Sequence, residues 1–168
     1  MPTAPGEHLT IRAAEASDLE SIAEIYVDSA RYHHAIDPVV HQVPDLDGAH
    51  ERIRAKLADP ELEVYVAERD GVIVGFVEVK VVSMGQPGGI MRTIPSAEIG
   101  IAVRDGIRGG GIGTQLMRFA EDWGREHGCE AMVLDTAAAN RGAIRLYQRL
   151  GYDVYGLQMR KPIGDPEC

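Results

Sequence analysis

Apolar and polar residues alternate singly through His8-Leu9-Thr10-Ile11-Arg12, a period-two pattern that predicts a short strand. The next apolar positions, Leu19, Ile22, Ala23, Tyr26 and Ala30, recur at helical spacing, and Ser17 followed by Glu20 fits a capping box at the helix start. Periodicity is lost between Tyr32 and Gly48. That stretch holds Pro38, Pro44, His33, His34, His41, Asp37, Asp45 and Asp47, and reads as a functional loop or short irregular helices. A second helix is predicted over 49–58, stopped by Asp59-Pro60. Residues 64–69 and 72–82 are two β-rich runs joined by Asp70-Gly71, a strong hairpin signal, and the glycine- and proline-containing stretch 83–95 reads as a flexible connection.

The second half has sharper punctuation. Residues 98–103, Glu-Ile-Gly-Ile-Ala-Val, have the composition of a buried strand and run through a glycine-dense turn into a helix. Ile112, Leu116, Phe119, Ala120 and Trp123 form that helix's apolar stripe, which Gly128 ends. A short buried strand follows at 131–134, then a helix from Asn140 to Gly151 carrying Ala143, Ile144, Tyr147 and Leu150, then two final strands at 152–155 and 157–161. The order is β-α-α-β-β-β-α-β-α-β-β, without repeat or linker, which predicts one mixed α/β domain over 1–168 with a flexible tail at 1–7.

Composition narrows the class. The 168 residues are 45% hydrophobic and 26% charged, in the range of a globular domain with a real core. A formal charge of −9 argues against a nucleic-acid partner, which would need a basic face. Cys129 and Cys168 lack metal-ligand spacing and predict a reducing, cytoplasmic setting, and no apolar run is long enough for a membrane span. His33, His34 and His41 lie on an irregular stretch without regular ligand spacing, so no metal is expected.

The segment Arg108-Gly109-Gly110-Gly111-Ile112-Gly113-Thr114 has the form of a phosphate cradle. A helix start leaves backbone N–H groups unpaired and partly positive, and glycines let the backbone approach an anion closely. A Walker loop requires Lys-Ser/Thr after its last glycine, whereas Gly113 is followed by Thr114-Gln115. The dinucleotide pattern started at Gly109 and Gly111 requires glycine where Thr114 stands, and the upstream chain is a hairpin meander and not a βαβ unit. What the segment does satisfy is Arg/Gln-x-x-Gly-x-Gly/Ala, through Arg108, Gly111 and Gly113.

With that pattern, and with Asn140-Arg141-Gly142-Ala143-Ile144-Arg145-Leu146-Tyr147-Gln148-Arg149-Leu150-Gly151-Tyr152 matching Asn-x-x-Ala-x-x-Leu-Tyr-x-x-Leu-Gly-Phe/Tyr, the sequence resembles the GNAT N-acetyltransferases. The resemblance implies a strongly twisted mixed sheet of six to seven strands with helices on both faces. It also implies acetyl-CoA wedged between the strand ending at Val103 and the strand near Leu134. The loop Arg108, Gly109, Gly110, Gly111, Ile112, Gly113 and Thr114 would take the pyrophosphate. The backbone of Ile101, Ala102 and Val103 would pair with the pantetheine arm, Val103 offering an N–H to the thioester carbonyl, and Asn140, Ala143 and Tyr147 would complete the cofactor site.

Two residues carry candidate chemistry. Periodicity alone makes Tyr147 a core aromatic, while the resemblance implies that it protonates the departing thiolate, a task suited to a phenol with a pKa of about 10. Glu98 shares a strand face with Gly100 and Ala102, and is either an edge-strand glutamate or the base that frees an attacking amine. Asn140 reads as a helix N-cap, and the resemblance adds a cofactor contact. Cys129 reads as a structural thiol, which favours direct transfer over an acyl-enzyme. The expected acceptor is a small-molecule primary amine bound by residues 26–48 and 83–95, with Asp37, Asp45 and Asp47 favouring a cationic one. A homodimer follows by family analogy only. A catalytically silent CoA-binding module and a protein or peptide N-acetyltransferase stay open beside this reading.

Overall fold

The computed structural model describes residues 9–107, 110–161 and 163. The tail 1–7, His8, Arg108, Gly109 and Cys168 lie outside the described residues. The chain runs β1 (Leu9–Ala13), α1 (Leu19–Ile36), α2 (Leu46–Ala58), β2 (Glu63–Arg69), β3 (Val72–Met84), β4 (Ile94–Val103), α3 (Ile112–Glu126), β5 (Ala131–Val133) and α4 (Arg141–Arg149). The strands form one sheet in sequence order, antiparallel from β1 to β4 and parallel between β4 and β5. The expected hairpin is present, with Asp70 and Gly71 both at positive φ, the backbone that a two-residue turn between twisted strands requires.

The sheet separates two apolar layers. On one face Ile22, Ile25, Ile53, Val66, Phe76 and Ala102 pack under α1 and α2. On the other, Val77, Val79, Ala97, Ile112, Leu116 and Trp123 pack under α3. Helices therefore cover both faces, as expected, because β2 to β4 are apolar on alternating sides and each side needs a cover.

The fold departs from the sequence-based expectation in five places. The sheet has five strands among the described residues, not six to seven. Residues 152–161 form no regular structure, and Val154, Tyr155, Leu157 and Met159 are 70–91% exposed. Their β-type composition is real, but a strand exists only against an edge that pairs with it. The stretch 32–48 is irregular only over 37–45: α1 continues to Ile36, and α2 starts at Leu46 because the Asp45 side chain accepts the Gly48 N–H at 2.8 Å. The 83–95 connection is shorter than expected, since β3 reaches Met84 and β4 starts at Ile94.

The capping box also moves. Residues Ala16–Asp18 form a single 3-10 turn, and the Asp18 carboxylate accepts the Glu15 N–H at 2.8 Å. Asp18 is also gripped by Arg12, at 2.7 and 3.0 Å, and the same guanidinium reaches Glu68 on β2. This fork ties β1, β2 and the start of α1 together, and Arg12 holds the buried Asp18 carboxyl below the usual carboxylate range against the opposing effect of burial. Asp18→Asn is therefore expected to cost about 3 kcal/mol in urea unfolding at neutral pH. Because the folded-state pKa is depressed, the parent's advantage is complete above the unfolded value of about 3.9 and disappears as pH falls through the folded one. The two proteins should converge in strongly acidic urea titrations.

Candidate active site

β4 organises the site through its two faces and its open edge. Ile99, Ile101 and Val103 point into the layer under α3, whereas Ala102 points toward α1 and α2, and Glu98 and Gly100 share its side by strand alternation. The ladder to β5 covers only Ser96↔Ala131, Ala97↔Met132 and Glu98↔Val133. β4 continues for five more residues, 99–103, with no strand on that edge among the described residues. These backbone groups need partners, and an extended ligand can supply them.

Because β4 and β5 are parallel, the chain leaves both toward the same end, and the starts of α3 and α4 follow there. Gly111 caps α3 in the left-handed conformation, φ 79°, and the first helical bond runs from Gln115 N to Gly111 O at 3.0 Å. The N–H groups of Ile112, Gly113 and Thr114 thus have no acceptor within the helix, and no acidic side chain occupies its first turn. A Cβ on Gly113 would sit 3.3 Å from Leu146 Cδ2, so this glycine lets α4 approach α3. Gly110 is exposed beside it, while Arg108 and Gly109 of the same loop lie outside the described residues.

Asn140 is buried and is the N-cap of α4: its Oδ1 accepts the Ala143 N–H at 3.2 Å and the Tyr32 hydroxyl at 3.3 Å. Tyr32 was not singled out in the sequence, because only the tertiary fold brings residues 108 positions apart together. Tyr147 packs in the same layer as Ile101 and Val103, and burial pushes its phenol above the usual tyrosine value. Its ring lies 6.0 Å from that of Tyr152.

On the opposite face, register sets the electrostatics. Lys80 stands across from Glu98, and Glu78 across from Gly100. Lys80 Nζ lies 2.8 Å from Glu98 Oε2, and this contact raises the lysine's pKa. Lys56 of α2 donates to both Glu78 oxygens at 2.5 Å. A Cβ on Gly100 would come within 2.6 Å of Glu78 Oε1, so the space left by this glycine holds a carboxylate. A cavity of about 240 Å³ opens here. Sequence inspection missed Lys56, Glu78 and Lys80; strand register is the signal that links the last two to Glu98 and Gly100. A larger cavity, about 430 Å³, lies beside β5 near the C-terminal part of α3, where Cys129 lines it. Burial raises the Cys129 thiol pKa, consistent with a structural thiol.

Two of the three loop acids expected to attract a cation are otherwise engaged. Asp45 caps α2, and Asp37 accepts the Val39 N–H at 3.2 Å and faces Arg160 at 3.8 Å. Among the described residues no group of three or more His, Cys, Asp or Glu is arranged to hold a metal ion, and no helix is long and apolar enough to cross a membrane.

The model of the acetyltransferase (GNAT) family matches residues 19–152. The chain belongs to the GNAT acetyltransferase family. The N-acetyltransferase YhfO of Bacillus subtilis is 27% identical over 152 residues, covering 86% of this chain and 90% of its own length. The streptothricin acetyltransferase of Streptomyces lavendulae is 35% identical over 121 residues, covering 71% of this chain and 60% of its own. Among solved structures, a mutant of the BH1408 protein from Bacillus halodurans has the same fold, with a TM-score of 0.84 at 22% identity over 92% of this chain and 99% of that one. The aminoglycoside N-acetyltransferase AAC(6')-Iy in complex with CoA is similar in fold at a TM-score of 0.62 and 23% identity, over 99% of this chain and 100% of that one. This GNAT protein is an acetyl-CoA-dependent N-acetyltransferase. Acetyl-CoA, as co-substrate, is anionic at its phosphates and extended along its pantetheine arm, which suits an acidless helix start beside an open strand edge.

Proposed function

We propose that the chain transfers the acetyl group of acetyl-CoA to a primary amine of a small molecule by direct attack in a ternary complex. The observation that carries this reading is the open edge of β4 over 99–103, with Glu98 just before it on the α2 side of the sheet and Tyr147 packed with Ile101 and Val103 on the α3 side. The pyrophosphate rests on the N–H groups at the start of α3, with Arg108, Gly109, Gly110, Gly111, Ile112, Gly113 and Thr114 as the loop. The pantetheine arm pairs with the backbone of Ile101, Ala102 and Val103, and Asn140 and Ala143 border it from α4.

The amine enters from the α2 face and loses its proton to Glu98, whose Oε2 is held by Lys80. Its nitrogen then bonds to the thioester carbon while the carbonyl oxygen takes up negative charge. A fixed Val103 N–H stabilises that charge more in the transition state than in the ground state. Collapse breaks the C–S bond, the thiolate takes its proton from Tyr147, and the second proton shed by the nitrogen as it becomes an amide restores the phenol. Burial raises the phenol's pKa, so Tyr147 holds its proton throughout the neutral range until the thiolate takes it.

Small-molecule amines as acceptors are supported by the streptothricin and aminoglycoside acetyltransferases among the relatives and by the modest size of the cavity. We read the enzyme as cytoplasmic, in keeping with its unpaired Cys129, and as a homodimer. The exposed apolar side chains of Tyr155, Leu157 and Met159 supply a surface for a second copy.

Thiol release from acetyl-CoA in the presence of small amines tests the reading, with peptides as the comparison. Tyr147→Phe should lower kcat about 100-fold with unchanged acetyl-CoA affinity; undiminished turnover would remove the general acid. Glu98→Gln should lower turnover at neutral pH, and the deficit should shrink as pH nears the amine's own pKa of about 10. A constant activity ratio across pH would discard the base. Gly111→Val places a branched residue at positive φ in the cradle and should raise the acetyl-CoA Kd about tenfold in calorimetry, the equivalent of about 1.4 kcal/mol.

A further inference from the structure

The cavity on the α2 face holds more positive charge than its own ion pairs use. Lys56 is spent on Glu78 and Lys80 on Glu98, at 2.5 and 2.8 Å. Arg52 lines the same cavity one helical turn before Lys56, and no carboxylate pairs with it among the described residues. Three cations therefore line the cavity against two carboxylates, and Asp59 adds a negative charge that acts on Lys80 from outside the lining. The unpaired one is a guanidinium, whose planar fork suits a carboxylate or a phosphonate held through two parallel hydrogen bonds.

We infer that the acceptor is a compact zwitterionic amine: Arg52 binds its anionic group while its amino group reaches Glu98. This inference rests on the proposed acetyl transfer at the open edge of β4. The size of the cavity agrees, because about 240 Å³ is smaller than the ligand clefts of about 300–1,000 Å³ that hold larger molecules. Charge agrees as well. A polyamine would bring several positive charges into a lining that already has a cation in excess, whereas an amine with one anionic group neutralises Arg52 and presents a single ammonium to Glu98. The acids that pointed to a cationic acceptor do not line this cavity: Asp45 caps α2 and Asp37 faces Arg160. Arg52 is in this scheme a specificity-determining residue that touches the acceptor and takes no part in proton transfer.

The test uses the full-length protein and matched acceptors that differ only in the anion. An α-amino acid is compared with its methyl ester, an aminoalkylphosphonate with the corresponding alkylamine, and a polyamine is included; thiol release is followed for each, and acetyl-CoA binding is measured separately. At least one zwitterion should have kcat/KM tenfold or more above its uncharged counterpart and above the polyamine, and which one does so separates carboxylate from phosphonate as the anion. Arg52→Ala should raise KM for the zwitterion at least tenfold, leave kcat within about twofold and leave acetyl-CoA affinity unchanged, and Arg52→Lys should restore part of the loss. Preference for the methyl ester, alkylamine or polyamine, or an unchanged zwitterion KM in Arg52→Ala, would overturn the inference and leave acetyl transfer standing. Acetyl-CoA binding with no thiol release for any amine would instead overturn the transfer reading, and this inference with it.

Discussion

The ladder between β4 and β5 stops after three residue pairs, and the rest of the site depends on that interruption. A fully paired β4 would have no backbone groups left for an extended cofactor. A β4 without β5 would not bring α3 and α4 to the same end of the sheet. Three pairs join the strands, and five further residues of β4 remain open beside two helix starts. The requirement that backbone N–H and C=O groups find partners then becomes a binding force for a ligand of matching shape.

Around this edge the sheet keeps two kinds of surface apart. The α3 side is apolar, with Ile101, Val103 and Tyr147 in one layer, and it raises the pKa of a phenol. The α2 side starts apolar at Phe76 and Ala102 and becomes charged at Glu78, Lys80 and Glu98. Two ion pairs stabilise these charges in a partly covered position, where charged groups left unpaired would be costly. The proposed proton acceptor, Glu98, and the proposed donor, Tyr147, thus lie on opposite sides of the sheet. The glycine at 100 serves this arrangement directly, since Glu78 occupies the place of its missing side chain.

Most of the fold was legible because local signals were strong. Asp70-Gly71 marked its hairpin, the stripe from Ile112 to Trp123 marked α3, and Asn140 marked the start of α4. Two of the misreadings share a cause: they fall where a partner outside the segment decides the outcome. Ser17 with Glu20 had the right spacing for a cap, but Arg12 draws Asp18 inward and a 3-10 turn precedes α1. Residues 152–161 have strand composition, but they pair with no edge of the described sheet.

The sequence by itself determined the element order, the glycine positions and the pairing of two motifs that identify the family, because these are properties of neighbouring residues and of spacing. Tertiary structure alone decided which residues meet across the sheet. Lys80 faces Glu98, Glu78 fills the space over Gly100, Tyr32 reaches Asn140, and Arg52 lines the cavity with no carboxylate partner among the described residues. The physical reason is register and packing. A strand's side chains alternate by a local rule, but which neighbour each one meets depends on where pairing begins and on the helix laid across it.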